Sequence, residues 1–293
     1  MNGDAVTVTP ALLRESPLPQ PGGGKEGRGR TLVVGGSAET PGAVLLAAEA
    51  ALRSGAGKLQ VATAGSVATQ VAVALPEALV RGLSETSDGV VAAAAAREVD
   101  DLAEGADCVL LGPGLGDVEE SQGLATALLG RSRNRVVVDA LALAAVTADP
   151  SCLRHLVGSA VLTPNPSELA RCLGADEAWV AESPGRAAAR LAERTGAVVS
   201  VGGEVAWTAA PDGRLWRDDG GTPGLGVSGA GDVRAGLVAG LLARGADPAS
   251  AALWGAHLHA RAGERLSARL GPLGFLAREL PLEVPGLLVE LSQ

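Results

Sequence analysis

The stretch Gly224-Leu-Gly-Val-Ser-Gly-Ala-Gly-Asp-Val-Arg-Ala-Gly-Leu-Val-Ala-Gly-Leu-Leu, residues 224–242, carries four glycines in its first eight positions and then turns apolar. Val233, Leu237 and Leu241 fall at i, i+4 and i+8, which predicts a helix with one apolar stripe. Glycines at the mouth of a helix let backbone N–H groups approach a phosphate without Cβ interference. The first-turn N–H groups lack acceptors inside the helix, and the positive end of its dipole lies there, so the mouth suits an anion. Asp232 falls in that first turn, where the field favours its ionised form. A carboxylate beside an anion hole is poorly placed to hold phosphate passively. It is well placed to activate a hydroxyl for attack on one. A glycine-rich turn capped by Asp232 is the plain alternative.

Gly224, Gly226 and Gly229 also spell G-x-G-x-x-G, the dinucleotide fingerprint, which needs a strand immediately before it. Gly220-Gly-Thr-Pro-Gly precedes it instead, and that is loop. Gly229-Ala-Gly-Asp followed by a long Ala/Gly/Leu helix resembles the GxGD anion-hole motif of the ribokinase-like superfamily.

The 293 residues suffice for a substantial core, and that core must be aliphatic: hydrophobic residues make up 47% of the chain but aromatics only 2%. A net charge of −9 argues against nucleic acid or a membrane surface as partner. No apolar run reaches membrane-span length and the N-terminus shows no secretory pattern, so a cytoplasmic protein is expected. Cys108, Cys152 and Cys172 are odd in number, lack metal spacing and read as buried free thiols. Lys25 and Lys58 are the only lysines, whereas arginine is common.

Residues 1–30, rich in proline and glycine, read as an extended lead-in, and 31–293 as a single domain. Strands are expected at Thr31–Val34, Lys58–Ala62, Cys108–Leu111, Val136–Asp139, Ala160–Thr163 and Ala197–Val201. Helices are expected at Pro41–Ser54, Val90–Ala103, Ser121–Leu129, Ser167–Leu173 and Pro184–Arg194. That alternation predicts an α/β fold with a mostly parallel central sheet and helices on both faces. Glu204–Thr208 and Arg214–Arg217, around Pro211-Asp-Gly, predict a hairpin at one sheet edge.

Ligands of open α/β sheets bind beyond the carboxyl ends of the strands. Several of those ends carry glycine or charge. Gly35-Gly-Ser-Ala-Glu-Thr-Pro-Gly reads as a tight turn in which Thr40 caps the next helix. Gly112-Pro-Gly-Leu-Gly-Asp offers exposed N–H groups to an anion or cofactor. Asp139 ends a strand, as a candidate site carboxylate or a structural cap. Glu168, in Thr163-Pro-Asn-Pro-Ser-Glu, could cap its helix or help hold magnesium through water. His257 and His259, two apart on a helix, face different sides and make an improbable zinc pair.

Lys25-Glu-Gly-Arg-Gly, Val34-Gly-Gly-Ser, Pro41-Gly-Ala, Arg53-Ser-Gly-Ala-Gly, Gly112-Pro-Gly-Leu-Gly, Val138-Asp139-Ala140, Leu162-Thr-Pro-Asn-Pro-Ser-Glu and Gly229-Ala-Gly-Asp occur in the order and spacing of one family. Leu258-His259 and Arg261-Ala-Gly-Glu continue the match. From about Lys25 onward the chain resembles the NAD(P)H-hydrate dehydratases of the ribokinase-like superfamily. It looks like the stand-alone form, since no epimerase domain precedes these motifs.

The resemblance implies a nicotinamide-cofactor repair lyase that acts on the S hydrate of NADH or NADPH, uses ADP or ATP with Mg2+, and assembles as a homo-oligomer, a tetramer being favoured. It implies Asp232 as the base for the substrate hydroxyl and as a substrate contact. It puts Ala43, Gly114, Gly116 and Asn165 on the hydrate, and Gly202, Gly203, Gly229, Ala230 and Gly231 on the nucleotide. Three positions depart from the family pattern. Asn165 replaces its histidine, with Ser167 where glycine is usual; Val201 replaces the lysine of its LKG segment; and Ala260 follows His259 where glycine is usual. Loss of a cation at 201 should penalise ATP more than ADP, so ADP preference is expected. The competing account puts Val201 against the adenine or in a strand interior. Two other functions fit the shared GxGD site: a small-molecule kinase of the hydroxyethylthiazole or hydroxymethylpyrimidine type, and a non-catalytic nucleotide sensor.

Overall fold

The computed structural model describes residues 5–20 and 22–293. Ten strands form one sheet: β1 (Val6–Thr7), β2 (Arg30–Val34), β3 (Lys58–Ala64), β4 (Ala78–Leu83), β5 (Cys108–Leu111), β6 (Arg135–Val138), β7 (Ala160–Leu162), β8 (Val198–Val201), β9 (Ala206–Ala209) and β10 (Leu215–Asp218). Their spatial order is β1-β10-β9-β8-β7-β6-β5-β2-β3-β4. The run from β8 to β4 is parallel throughout, and β9 pairs antiparallel with both β8 and β10. The chain winds outward from β2 through β3 to β4, then returns beside β2 as β5 and winds the other way. The winding therefore reverses between β2 and β5, where α/β sheets open a crevice at the strand ends.

Alternate residues of each central strand enter opposite apolar layers, as a parallel sheet buried on both faces requires. Val33, Val61, Leu110 and Val137 pack with the helices Gly42–Arg53, Ala230–Ala243, Pro248–Leu270 and Leu280–Leu291. Leu32, Val34, Val109, Val138 and Val201 face the other way, toward Val118–Arg131, Leu143–Ala148, Pro166–Leu173 and Pro184–Thr195. The Ala230–Ala243 helix has more than an apolar stripe. Every residue from Val233 to Ala243 is buried. It reaches the Gly42–Arg53 helix through two glycines on one face. A Cβ on Gly236 would lie 2.1 Å from the Ala47 carbonyl oxygen, and one on Gly240 would lie 2.3 Å from that of Ala51. The two helices behind the sheet's glycine-rich ends are thus locked backbone to backbone.

The lead-in departs from expectation. Residues 1–4 and Pro21 lie outside the described residues. The rest is not simply extended. β1 pairs parallel with β10, so the hairpin is not the sheet edge, and the Pro10–Glu15 helix buries Leu13. Trp254 Nε1 donates to the Ser16 carbonyl at 3.0 Å, and Arg244 Nη2 to that of Pro19 at 3.1 Å. Elements of two and six residues are too short to show a period, which is why composition alone misses them. The helix expected over Val90–Ala103 is a 3₁₀ segment, Ala93–Val99, followed by a short α-helix, Asp100–Glu104. Val90 and Val91 are drawn instead into isolated bridges with Ser37 and Glu85. Among the described residues, no helix is long and apolar enough to cross a membrane.

Candidate active site

Gly229 takes a left-handed conformation, φ 88°, just before the Ala230–Ala243 helix, and turns the chain into its first turn. Nothing would meet a Cβ on Gly231, so the space over the helix mouth is open. Asp232 stands in that turn, half-buried, with no hydrogen bond to its carboxylate. Burial, and then the charge of Glu168, push its pKa up to about 6. A carboxylate in that range can take a proton near neutral pH.

A cavity of about 500 Å³ opens at this helix mouth. Its lining includes Asn165, Gly202, Gly203, Ala230, Gly231, Arg234 and His259. The β7 end, the β8–β9 turn and the helix N-terminus thus meet in one place. Asn165 is a helix N-cap: its Oδ1 accepts from Glu168 N at 2.9 Å, while Glu168 Oε2 accepts from Asn165 N at 2.8 Å. This reciprocal capping box needs an amide or hydroxyl oxygen, and asparagine is among the best residues for it. Of the two roles expected for Glu168, capping is therefore present.

Ala43, Gly114 and Gly116 gather apart from that cavity, at the winding reversal between β2 and β5. Gly36 N donates to the Pro113 carbonyl at 2.7 Å, closing one glycine turn on the other. Gly114, φ 70°, leaves only 2.8 Å between an added Cβ and that of Ala43, and a Cβ on Gly116 would lie 2.9 Å from Val90 Cγ2. Thr40 does not cap the next helix as expected. Pro41 holds the N-cap position without a side-chain bond, and the Thr40 hydroxyl donates to the Gly114 carbonyl at 2.8 Å.

Asp139 is buried at the end of β6, and Thr163 Oγ1 donates to its Oδ1 at 2.7 Å. Burial raises its pKa to about 8; the Thr163 hydroxyl opposes this, Asp232 and Glu168 add to it, and Arg234 lowers it. Its burial thus favours the protonated form, and it makes no side-chain cap. The next residue, Ala140, has φ 48°, the one positive φ outside glycine among the described residues, so the chain is strained where it leaves Asp139.

Sequence reasoning missed Arg234 and underrated His259. Arg234 is the single charge between Val233 and Ala243 in an otherwise apolar helix, a signal present in the sequence. His259 lines the cavity, and burial, then the charge of Arg234, lower its pKa to about 3. His257 Nδ1 lies 2.8 Å from Asp218 Oδ2, both buried, and Asp218 lines the same cavity as His259. Among the described residues no three His, Cys, Asp or Glu side chains cluster as metal ligands. Val201 is 1% exposed and packs in the layer opposite the Ala230–Ala243 helix. A charge there would enter the apolar core, and the electrostatic argument for ADP preference does not hold. The strand-interior account does. Cys152 is half-buried and free, while Cys108 and Cys172 are buried.

A family model described as NAD(P)H-hydrate dehydratase matches residues 31–285. The ADP-dependent (S)-NAD(P)H-hydrate dehydratase of Xanthomonas campestris pv. campestris is 48% identical over 294 residues, covering 100% of both chains. The bifunctional NAD(P)H-hydrate repair enzyme of Moorella thermoacetica is 36% identical over 90% of this chain and 50% of its own, so this chain spans about half its length. Among solved structures, the ADP/ATP-dependent NAD(P)H-hydrate dehydratase of Bacillus subtilis, co-crystallised with ATP/Mg2+, superposes with a TM-score of 0.83 at 26% identity, covering 98% and 99% of the two chains.

Proposed function

The chain belongs to the NAD(P)H-hydrate dehydratase family, and on that premise we propose that it restores NADH and NADPH by dehydrating their (6S)-hydrates at the expense of ADP or ATP. The observation that carries this reading is Asp232. Its carboxylate is free of hydrogen bonds, tuned toward neutrality, and beside an open helix mouth suited to a phosphoryl group.

In the proposed reaction Asp232 takes the proton of the 6-hydroxyl as that oxygen attacks the terminal phosphorus of the nucleotide. The bond from phosphorus to the nucleotide's bridging oxygen breaks, releasing AMP from ADP or ADP from ATP. The ring-nitrogen lone pair then expels the phosphate from C6. Loss of a proton from C5 restores the C5–C6 double bond. Developing phosphoryl charge falls at the N–H groups of Gly231 and Asp232, aligned with the helix dipole, while the Ala230 N–H is taken by the Val227 carbonyl at 3.1 Å.

The cavity that includes Gly202, Gly203, Ala230 and Gly231 is assigned to the nucleotide, with Gly229 shaping its entry. Ala43, Gly114 and Gly116 are assigned to the hydrate, at the switch point where such sheets take ligands. Asn165, which lines the same cavity as Gly202 and Gly231, is assigned to the hydrate as well. The donors present suit magnesium, which takes one or two carboxylates together with waters and substrate phosphates. Glu168 commits only Oε2 to its cap, so it would help hold the ion through water. The ion would neutralise phosphoryl charge while Asp232 stays free to act as the base. Residues 31–293 are taken as one catalytic domain, working as a cytoplasmic homo-oligomer for which a tetramer is favoured.

Incubation with the (6S)-hydrate and ADP, then with ATP, tests this reading through the absorbance of regenerated dihydronicotinamide. Recovery that requires nucleotide is expected. Phosphorylation of hydroxyethylthiazole or hydroxymethylpyrimidine without recovery would replace it with the kinase reading.

A further inference from the structure

Arg234 is 5% exposed and lines the cavity floor. Its Nη2 donates to the carbonyls of Thr163 at 2.9 Å and Pro164 at 3.3 Å. Nε and Nη1 are buried without any partner. Among the described residues it makes no ion pair, since no carboxylate oxygen lies within 4.0 Å of it. A guanidinium stays charged in proteins, and a buried charge without a counter-ion is costly. Asp139, raised by its burial, and Glu168, engaged in its capping box, act on Arg234 only from beyond that distance, so an anion entering the cavity would be its direct partner.

The position of the group says which anion. The guanidinium lies under the β8–β9 turn, so close that a Cβ on Gly202 would come within 2.2 Å of Nη1. Above it is the cavity bounded by Gly203 and Gly231. The other ionisable groups lining that cavity are Glu204, Asp218 and His259, and His259 is held neutral. Arg234 is therefore the cavity's one permanent positive charge among the described residues. Val201 cannot supply another, because it faces the opposite layer.

We propose that Arg234 is the phosphate counter-charge of the nucleotide pocket and sets how strongly affinity depends on the number of phosphates. The proposal rests on the adenine-nucleotide reading given above. Arg234 acts through the Gly202 floor and the helix mouth, as a positioning residue rather than a catalytic one. Buried under the Gly202 turn, its charge is little screened and its field reaches each added phosphate, so its loss weakens ATP more than ADP, ADP more than AMP, and adenosine least.

The test titrates adenosine, AMP, ADP and ATP against the parent, Arg234→Met and Gly202→Ala. Methionine keeps the bulk of the stem and removes the charge. Alanine at 202 keeps the charge and pushes the flexible guanidinium tip aside, which guards against a misfolded Arg234→Met. The expected result is adenosine affinity within about twofold of the parent, with losses of about tenfold per added phosphate in Arg234→Met. A shallower gradient in the same direction is expected in Gly202→Ala. Equal losses for adenosine and ATP would show a structural role only, and unchanged affinities would remove any role; either overturns the proposal alone. A parent that binds no adenine nucleotide would overturn the functional reading and this inference with it.

Discussion

The Thr40 hydroxyl donates to the Gly114 carbonyl at 2.8 Å, joining the turn after β2 to the turn after β5 across 74 positions of sequence. Ser37 Oγ lies 2.8 Å from the same hydroxyl and accepts from Thr40 N at 3.2 Å, so the bond is held from both sides. It fixes the width of the crevice at the winding reversal. Thr40→Val should cost about 1 kcal/mol of stability and raise KM for the hydrate with little change in KM for nucleotide. Thr40→Ser should restore both. Equal rises in the two KM values would mean that this bond does not shape the hydrate side.

Close packing of the two helices behind the site gives a second expectation. A methyl on Gly236 meets backbone at 2.1 Å, which no side-chain rotation can relieve. Gly236→Ala should therefore destabilise by about 1–3 kcal/mol despite alanine's higher helix propensity. Chemical denaturation measures this. A stabilised variant would contradict the backbone contact.

The two raised carboxylates tie stability to pH. Burial lifts Asp232 to about 6 and Asp139 to about 8. The folded state thus favours their protonated forms. Their contribution is complete below the unfolded carboxylate value, about 3.9, and is lost as pH rises through about 6 and then about 8. Tm of the ligand-free protein should fall over that window, and Asp139→Asn should remove the portion near 8. Parallel Tm curves for parent and variant would exclude Asp139 as the source. On the activity side, kcat/KM should decline below about pH 6 as Asp232 becomes protonated.

Val201→Lys should not alter the ratio of ADP to ATP use. The side chain lies in the apolar layer opposite the cavity, and an ammonium there has no partner. A stability loss of about 3–5 kcal/mol is expected instead. A stable variant with a shifted nucleotide ratio would return the electrostatic explanation to position 201.

How much of this was legible beforehand follows from burial. The expected strand Cys108–Leu111 matches β5 residue for residue, because a strand buried on both faces is an unbroken apolar run. Outer strand β4, with Arg81 and Gly82 among partly exposed residues, has no such run and was not anticipated. Asp232 and its glycines were legible because the chemistry needs those residue types side by side. The facing of Val201 was not, since strand period alone does not say which layer holds the ligand. Arg234 was visible as a lone charge in an apolar helix. Its meaning came only with the loop carbonyls of Thr163 and Pro164, 71 and 70 positions away in sequence.

Asp232→Asn gives the most direct test of the assigned chemistry. The variant keeps the shape of the helix mouth and removes only the proton acceptor. Single-turnover dehydration of the (6S)-hydrate, with ADP binding measured in the same samples, should fall about 10²–10⁴-fold while ADP affinity stays within a few-fold of the parent. A variant that dehydrates at close to the parental rate with ADP bound would contradict the assignment of Asp232 as the base.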